Sequence, residues 1–366
     1  MGLCPTNVAT HLPGRVHRAK EGAATGTRKV VALGVIIASK MGYKGNLFRT
    51  SNVSQRTAPV TLRNFTLLLV VLLGLAVLSP AANATPNYTV NSDSTVSDST
   101  TGLTWMRCSL GQTWDGSTCT GNATGYTWAN AVALTSSFAS HNDWRLPNIR
   151  ELQTIVDRTT YNSAINATVF PNTPASHFWS ASADAYYSNY AWYVNFRNGY
   201  AGSGAKTPSF QVRLVRVGQS FGLSRPSTDY SDSGGGTVSH TPTGLIWKRC
   251  SEGQTWTGNT CSGNATTYTW DGAMALTSNF SGNNDWRIPT EEELISLVDY
   301  TIPYPGPTIN TAWFPNTSAS DFWSASAYAD NSNGAWLVDF DDGYANANHD
   351  KDDSFQVRLV RGGTVF

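Results

Sequence analysis

Charge is scarce in this chain, and so are histidine and cysteine. Of 366 residues only 14% are charged, six are His and five are Cys. Lys plus Arg equals Asp plus Glu at 25 each, yet the balance is uneven along the chain. Residues 1–84 hold ten basic and one acidic side chain, and residues 85–366 hold 15 and 24. The part expected to fold is therefore acidic, which excludes a nucleic-acid binder acting by bulk charge. Long apolar runs are missing too. Only Phe65–Leu78 is worth considering, so a multispan membrane protein is excluded. What is plentiful is aromatic side chain. All 13 Trp lie after residue 100, and such a sequence buries too much area to stay disordered.

The apolar run reads FTLLLVVLLGLAVL, with Arg63 before it and Pro80 and Ala82-Asn83-Ala84 after it. A basic flank, a short apolar stretch and an A-x-A end predict a secretory signal peptide over 63–84, cleaved after Ala84. The run is shorter than the ~20 residues of a spanning helix. The alternative is an uncleaved signal-anchor, the one case in which a membrane would be a partner. Residues 1–62 are basic without apolar periodicity and are assigned no fold, which fits a start codon further downstream, such as Met41.

The rest is one unit used twice. TVSDSTTGLTWMRC (95–108) returns as TVSHTPTGLIWKRC (237–250), and NDWRLPNIRELQTIVD (142–157) as NDWRIPTEEELISLVD (284–299). FWSASA recurs at 178 and 322, and FQVRLVR at 210 and 355. Among the tryptophans only Trp313 lacks a counterpart. A period this long indicates tandem domains rather than a solenoid. The expected boundaries are 88–217 and 228–366, with the Gly/Ser/Pro-containing stretch 218–227 as linker. Cys108 and Cys119 are 11 apart, as are Cys250 and Cys261, across polar glycine-containing segments. Behind a signal peptide this predicts one local disulfide per copy. A metal site would need C-x-x-C spacing or nearby His, and neither is present.

Within a copy, apolar steps of three to four predict a helix over Tyr126–Ala139 and its counterpart Tyr268–Phe280. Thr290 with Glu293, and Asn148 with Glu151, predict capping boxes at the start of a second helix. Alternation at Trp192, Val194 and Phe196, and at Phe210, Val212 and Leu214, predicts strands. Asn198-Gly199 and Asp342-Gly343 predict hairpin turns. The expected class is α+β, each copy having two helices and a short-stranded antiparallel sheet.

TGLTWMRC, the W-x-x-A helix, DWRLPN-x-x-EL, FWSAS, the AW-x-V-x-F strand and the closing QVRLVR together resemble the Lcl C-terminal domain family. The resemblance covers both copies and implies a secreted or surface-exposed bacterial protein. A fainter similarity links WRIPTEEEL and the terminal VRLVR to sulfatase-modifying domains. It implies a C-type-lectin-like fold. Those enzymes use cysteines near the last strands, and neither copy has a Cys after its second one, so the likeness carries no chemistry.

Catalytic material is thin. His141, His177, His240 and His349 do not recur between copies. Asp143 and Arg145, with Asp285 and Arg287, flank a Trp and are expected to pair with each other at the helix entry. Trp114 and Trp256, in the predicted disulfide loops, are the candidate ligand contacts, with packing over the bridge as the alternative. The copies differ most in charge. Residues 88–217 carry eight basic and seven acidic side chains, and residues 228–366 carry six and 17. Asp339, Asp341, Asp342, Asp350, Asp352 and Asp353 fall on one predicted hairpin as a candidate calcium site, with a solvated acidic loop as the alternative. The expected function is non-enzymatic binding or adhesion, with a glycan or extracellular matrix partner. The alternatives are a cryptic enzyme and a purely structural envelope protein.

Overall fold

Short strands separated by glycine turns build both copies. The computed structural model describes residues 87–217 and 221–363. The unassigned residues 1–62, the predicted signal peptide 63–84 and the first linker residues lie outside them. In the first copy the strands are β1 (Tyr88–Val90), β2 (Thr95–Asp98), β3 (Thr104–Met106), β4 (Thr113–Trp114), β5 (Cys119–Thr120), β6 (His177–Ala183), β7 (Tyr190–Asn195), β8 (Tyr200–Ala205) and β9 (Val215–Arg216). The second has β10 (Tyr230–Gly234), β11 (Thr237–His240), β12 (Leu245–Lys248), β13 (Thr255–Trp256), β14 (Cys261–Ser262), β15 (Thr267–Tyr268), β16 (Asp321–Ala327), β17 (Gly334–Asp339), β18 (Ala345–Asp350), β19 (Phe355–Gln356) and β20 (Val360–Arg361). The helices are α1 (Trp128–Val132) and α2 (Ile149–Gln153), then α3 (Trp270–Met274) and α4 (Glu291–Ile295). The class is α+β but mostly β. Among the described residues no helix is long and apolar enough to cross a membrane.

The helices are shorter than the periodicity predicts. After Val132 the chain meets Thr135, Ser136 and Ser137, whose side chains compete for backbone groups, and Ala139 and Ser140 take positive φ. The capping boxes are as expected. Asn148 and Thr290 accept from the N–H of Glu151 and Glu293, whose carboxylates accept from the cap N–H in return. The closing motif is only partly a strand. Val212 and Leu214 are buried, but their carbonyls accept from Leu110 and Met106 at 2.9 and 3.0 Å rather than from a ladder. Asn-Gly and Asp-Gly do turn hairpins, in loops of four and five residues. Asn195 pairs with Tyr200, and Gly199 and Gly343 sit at φ +85°.

The two copies are not independent beads. One sheet runs β15-β19-β16-β17-β18-β8-β7-β6, crossing from the second copy to the first at Ala345 opposite Ala201. Those alanines are repeat equivalents, so the junction has the form of a twofold dimer contact written inside one chain. Strand alternation divides the core accordingly. Phe178, Trp192 and Val194 face a core shared with Phe322, Trp336 and Val338 of the other copy. Trp179 and Ala191 face a private core with Trp144 and Val212, mirrored by Trp323, Ala335, Trp286 and Val357.

Across the junction the equivalents have diverged. Arg158 of the first copy is buried against Glu291 and Glu292 of α4. Its counterpart Tyr300 is buried against α2, with its hydroxyl donating to Gln153 at 3.1 Å and Arg150 lying 5.0 Å from its ring. The linker is packed here as well: Leu223 O accepts from Tyr300 N at 3.0 Å, and Arg225 N donates to Asp299 at 2.8 Å. Removing one partner of a buried ion pair leaves the other charge stranded. Arg158→Ala is therefore expected to lower the stability of the whole chain by about 3–5 kcal/mol in urea unfolding, within a single transition. Loss below ~1 kcal/mol, or two separated transitions, would contradict the shared core.

Candidate functional site

Both predicted disulfides are present, each with its Cα atoms 5.5 Å apart. Each closes a two-stranded ribbon, β4 with β5 and β13 with β14, that carries the loop tryptophan. The Asn of a following Phe-Pro-Asn triplet ties the ribbon down. Asn172 donates to Cys119 O at 2.8 Å and Asn316 to Cys261 O at 2.6 Å. Both asparagines take positive φ, which Asn tolerates better than most residues. Trp114 and Trp256 are half-buried. Arg107 lies 3.8 Å above the Trp114 ring and Arg249 lies 5.0 Å from that of Trp256. The arginine covers the ring face a flat ligand would take, so the geometry favours packing. Trp313, the tryptophan without a counterpart, shares Arg249 at 4.8 Å.

The polar residues common to both copies serve the scaffold. Asp143 and Arg145 do not pair with each other, nor do Asp285 and Arg287. Arg145 grips Glu151 with two nitrogens at 2.7 Å, and Arg287 grips Glu293 at 2.6 Å. A planar fork matches two carboxylate oxygens, which outweighs proximity in sequence. Asp143 and Asp285 instead accept from the terminal-strand Arg216 and Arg361 at 2.8 Å. Glu151 and Glu293 are thus both caps and anchors. Arg213 and Arg358 are fully buried without a carboxylate. Arg213 donates to the carbonyls of Met106 and Arg107 and to Thr173 Oγ1 at 2.7 Å, and Arg358 repeats this with Lys248, Arg249 and Thr317. Burial pushes both guanidinium groups down to about 9.

The histidines are scattered. His141 is exposed on a turn, and His177 stacks on Phe210 at 4.8 Å. His240 is buried against Thr243, and desolvation lowers it to about 3. His349 faces Asp353 at 3.7 Å. Asp98 occupies the repeat position of His240 and bonds Thr101 in the same way at 2.8 Å, so that place is a turn cap in both copies.

The acidic hairpin divides. Asp339 closes β17 and Asp341 and Asp342 lie in the loop that follows it, with carboxylate oxygens all within 4.8 Å of one another. Asp350, Asp352 and Asp353 lie at the far end of β18, about six residues and roughly 20 Å along the strand. A strand of that length cannot bring the two groups together, so the six-carboxylate expectation is corrected to three. A fourth comes from elsewhere. Asp321 opens β16 directly opposite Asp339, which only the cross-strand register reveals. Its counterparts in the first copy are His177, Asn195, Arg197 and Asn198, so the quartet belongs to one copy. Burial, then the neighbouring carboxylates, raise Asp321 and Asp341 to about 7 and Asp342 to about 8.

A cavity of about 780 Å³ opens where the copies meet, lined by Tyr88, Arg150, Arg158, Trp270, Glu292 and Tyr328 among others. Its three arginines are already engaged, Arg158 with Glu292 at 3.1 Å, Arg150 with the Leu223 carbonyl at 3.3 Å and Arg225 with the Ser296 carbonyl at 2.5 Å. Neither copy alone contains this cavity, so no motif of the repeat signals it.

The family model described as the Lcl C-terminal domain matches residues 94–216 and again 236–361. No curated protein matches the chain.

The raised carboxyls fix a pH dependence. Their folded values exceed the unfolded value near 4, so protonation favours the folded state. That contribution is complete below about pH 4 and is lost as pH rises through 7 to 8. Asp342→Asn, which imitates the protonated form, is expected to raise stability at pH 9 by on the order of 1 kcal/mol and to leave it unchanged at pH 4. Urea unfolding at the two pH values, in calcium-free buffer, measures it.

Proposed function

The chain belongs to the Lcl C-terminal domain family through two tandem copies, and from that premise we propose that it is an exported, non-enzymatic recognition module for extracellular glycan or matrix components. One observation carries the reading. The polar groups both copies share are engaged in capping and bracing, while the copies differ on exposed loops and hairpin ends. Selection for a reaction would hold a set of reactive groups in a cleft, whereas selection for recognition varies loops on a fixed frame. The frame is of the C-type-lectin-like kind, with short helices and disulfide-tied ribbons flanking a small antiparallel sheet. Two disulfides fit an oxidising compartment and hence export.

The acidic quartet gives the second copy a cation-dependent element. Asp321, Asp339, Asp341 and Asp342 offer hard oxygen donors at one hairpin end, the donor type calcium takes. The carboxyls of Asp321, Asp341 and Asp342 hold their protons through burial first and repulsion between neighbours second, and a divalent cation would relieve the repulsion. Water and main-chain carbonyls would complete the shell. Calorimetric titration of the full chain with CaCl2 is expected to show uptake that disappears in Asp339→Asn/Asp341→Asn. Heat of binding equal in both proteins, or absent from both, would leave the quartet as a solvated acidic loop.

The function itself is tested by presenting the full chain to an array of glycans and matrix proteins, with and without EDTA. Specific retention on a subset of spots is the expected result. No retention in either condition would overturn the reading in favour of a structural envelope component.

A further inference from the structure

The most exposed large aromatic side chains near the junction gather in one place. Tyr186 and Tyr187 lie in the loop from β6 to β7, Tyr190 opens β7, and Tyr304 comes from the second copy. The ring of Tyr186 is 4.6 Å from that of Tyr187 and 5.6 Å from that of Tyr304, and Tyr187 is 5.1 Å from Tyr190. Tyr186, Tyr187 and Tyr304 remain 52%, 44% and 46% exposed. None of the four hydroxyls bonds another described residue.

The cluster is a product of divergence. The loop reads DAYYSNY in the first copy and YADNSNG at the equivalent place in the second, so Tyr186, Tyr187 and Tyr190 face Asp330, Asn331 and Gly334 in the repeat. Tyr304 has no equivalent at all. Asp157 and Ile165 are eight residues apart and their counterparts Asp299 and Ile309 ten, and the longer segment supplies Tyr304. Neither copy could form the patch by itself, and folding does not need it.

Both loops are held in advance. Asp184 accepts from the N–H groups of Tyr186 and Tyr187, both at 2.8 Å. Lys206 Nζ donates to Ser188 O at 2.7 Å, and Tyr190 N donates to Tyr187 O at 2.9 Å. On the other side Pro303, Pro305 and Pro307 restrict the backbone, and Gly306 N donates to Pro303 O at 3.0 Å. Rigid tyrosines beside Ser and Asn present contact area with little entropy left to lose on binding.

The chemistry narrows the ligand. In segments 184–190 and 301–307 the one charged side chain is Asp184, and it is turned into its own loop. The nearest cation, Lys206, is held by Ser188 and by the Trp128 ring at 4.3 Å. Nothing here recruits a polyanion or an anionic membrane surface. Half-exposed tyrosines offer roughly 100 Å² each, so the whole cluster presents no more than about half of the ~800 Å² per side of a stable protein interface. Exposed ring faces with free hydroxyls and nearby amides suit the C–H faces and hydroxyls of a sugar ring.

We infer that Tyr186, Tyr187, Tyr190 and Tyr304 form a stacking platform for neutral, uncharged pyranose units of a polysaccharide. The inference rests on the recognition reading above and assigns it a site and a ligand class. Affinity gel electrophoresis of the full chain tests it, with β-glucan, galactomannan, xyloglucan and amylose in separate gels and heparin as the charged comparison. The wild-type chain is expected to be retarded by at least one neutral polysaccharide. Tyr186→Ala/Tyr304→Ala is expected to raise the dissociation constant at least ten-fold, whereas Tyr186→Phe/Tyr304→Phe stays within about three-fold. Because the rings are half-exposed, the melting temperature of each variant is expected to match the wild type, which separates lost binding from lost folding. Retardation by heparin alone, or equal retardation of the alanine variant, would overturn the platform while leaving the recognition reading standing. A wild-type chain that is retarded by none of these gels and retained on no array spot would overturn both.

Discussion

A bare sheet edge is the constraint from which the architecture follows. Each copy builds a three-stranded meander whose last strand, β8 or β18, would expose unpaired N–H and C=O groups to any passing strand. The other copy covers it. Ala201 meets Ala345 at the seam, and small side chains there let two backbones approach closely. The same contact brings Trp192 to within 4.8 Å of Tyr300 and 5.1 Å of Tyr344. The duplication thus works as a dimer whose partner is tethered, so no concentration of free protein is needed to close the edge.

Tethering also removes the need for symmetry. In a homodimer Arg158 would face Ile149 and Arg150, the positions that Glu291 and Glu292 occupy in the other copy. Two arginines would then repel across a dry interface. In this chain Arg158 meets acids on one side of the pseudo-twofold axis, and Tyr300 meets Arg150 and Gln153 on the other. Each copy therefore fits its twin better than itself, which disfavours pairing of like copies between chains.

Features set by close sequence spacing were legible before the fold was known. Both disulfides, both capping boxes and the buried Trp105, Trp144, Trp179 and Trp192 depend on local spacing or on repetition, and both are visible in one dimension. Features set by register were not. Asp321 joins the acidic loop only because it stands opposite Asp339, and Asp350 leaves it because a strand intervenes. Asp143 and Arg145 looked like partners because they are near in sequence. Their real partners, Arg216 and Glu151, are fixed by the terminal strand and the helix entry. Periodicity overstated α1 because a sequence can hold apolar spacing past the point where Ser and Thr stop the helix.

Duplication gives an internal control that a single domain lacks. Where Arg145 and Arg287, or Arg213 and Arg358, repeat with the same partners at nearly the same distances, the shared purpose is the shared fold. Arg158 and Tyr300 differ because the junction needs them to; where the copies part outside those buried pairs, the fold is not the reason, since the other copy folds without the feature. The carboxylates at 321, 339, 341 and 342 replace His, Asn, Arg and Asn, and desolvation makes the charges of Asp321, Asp341 and Asp342 costly to keep. The tyrosines at 186, 187 and 190 replace Asp, Asn and Gly on a surface where water would be a better neighbour than a ring. Both changes work against stability or solubility. Features that neither the scaffold nor water favours are the ones on which the proposed recognition rests.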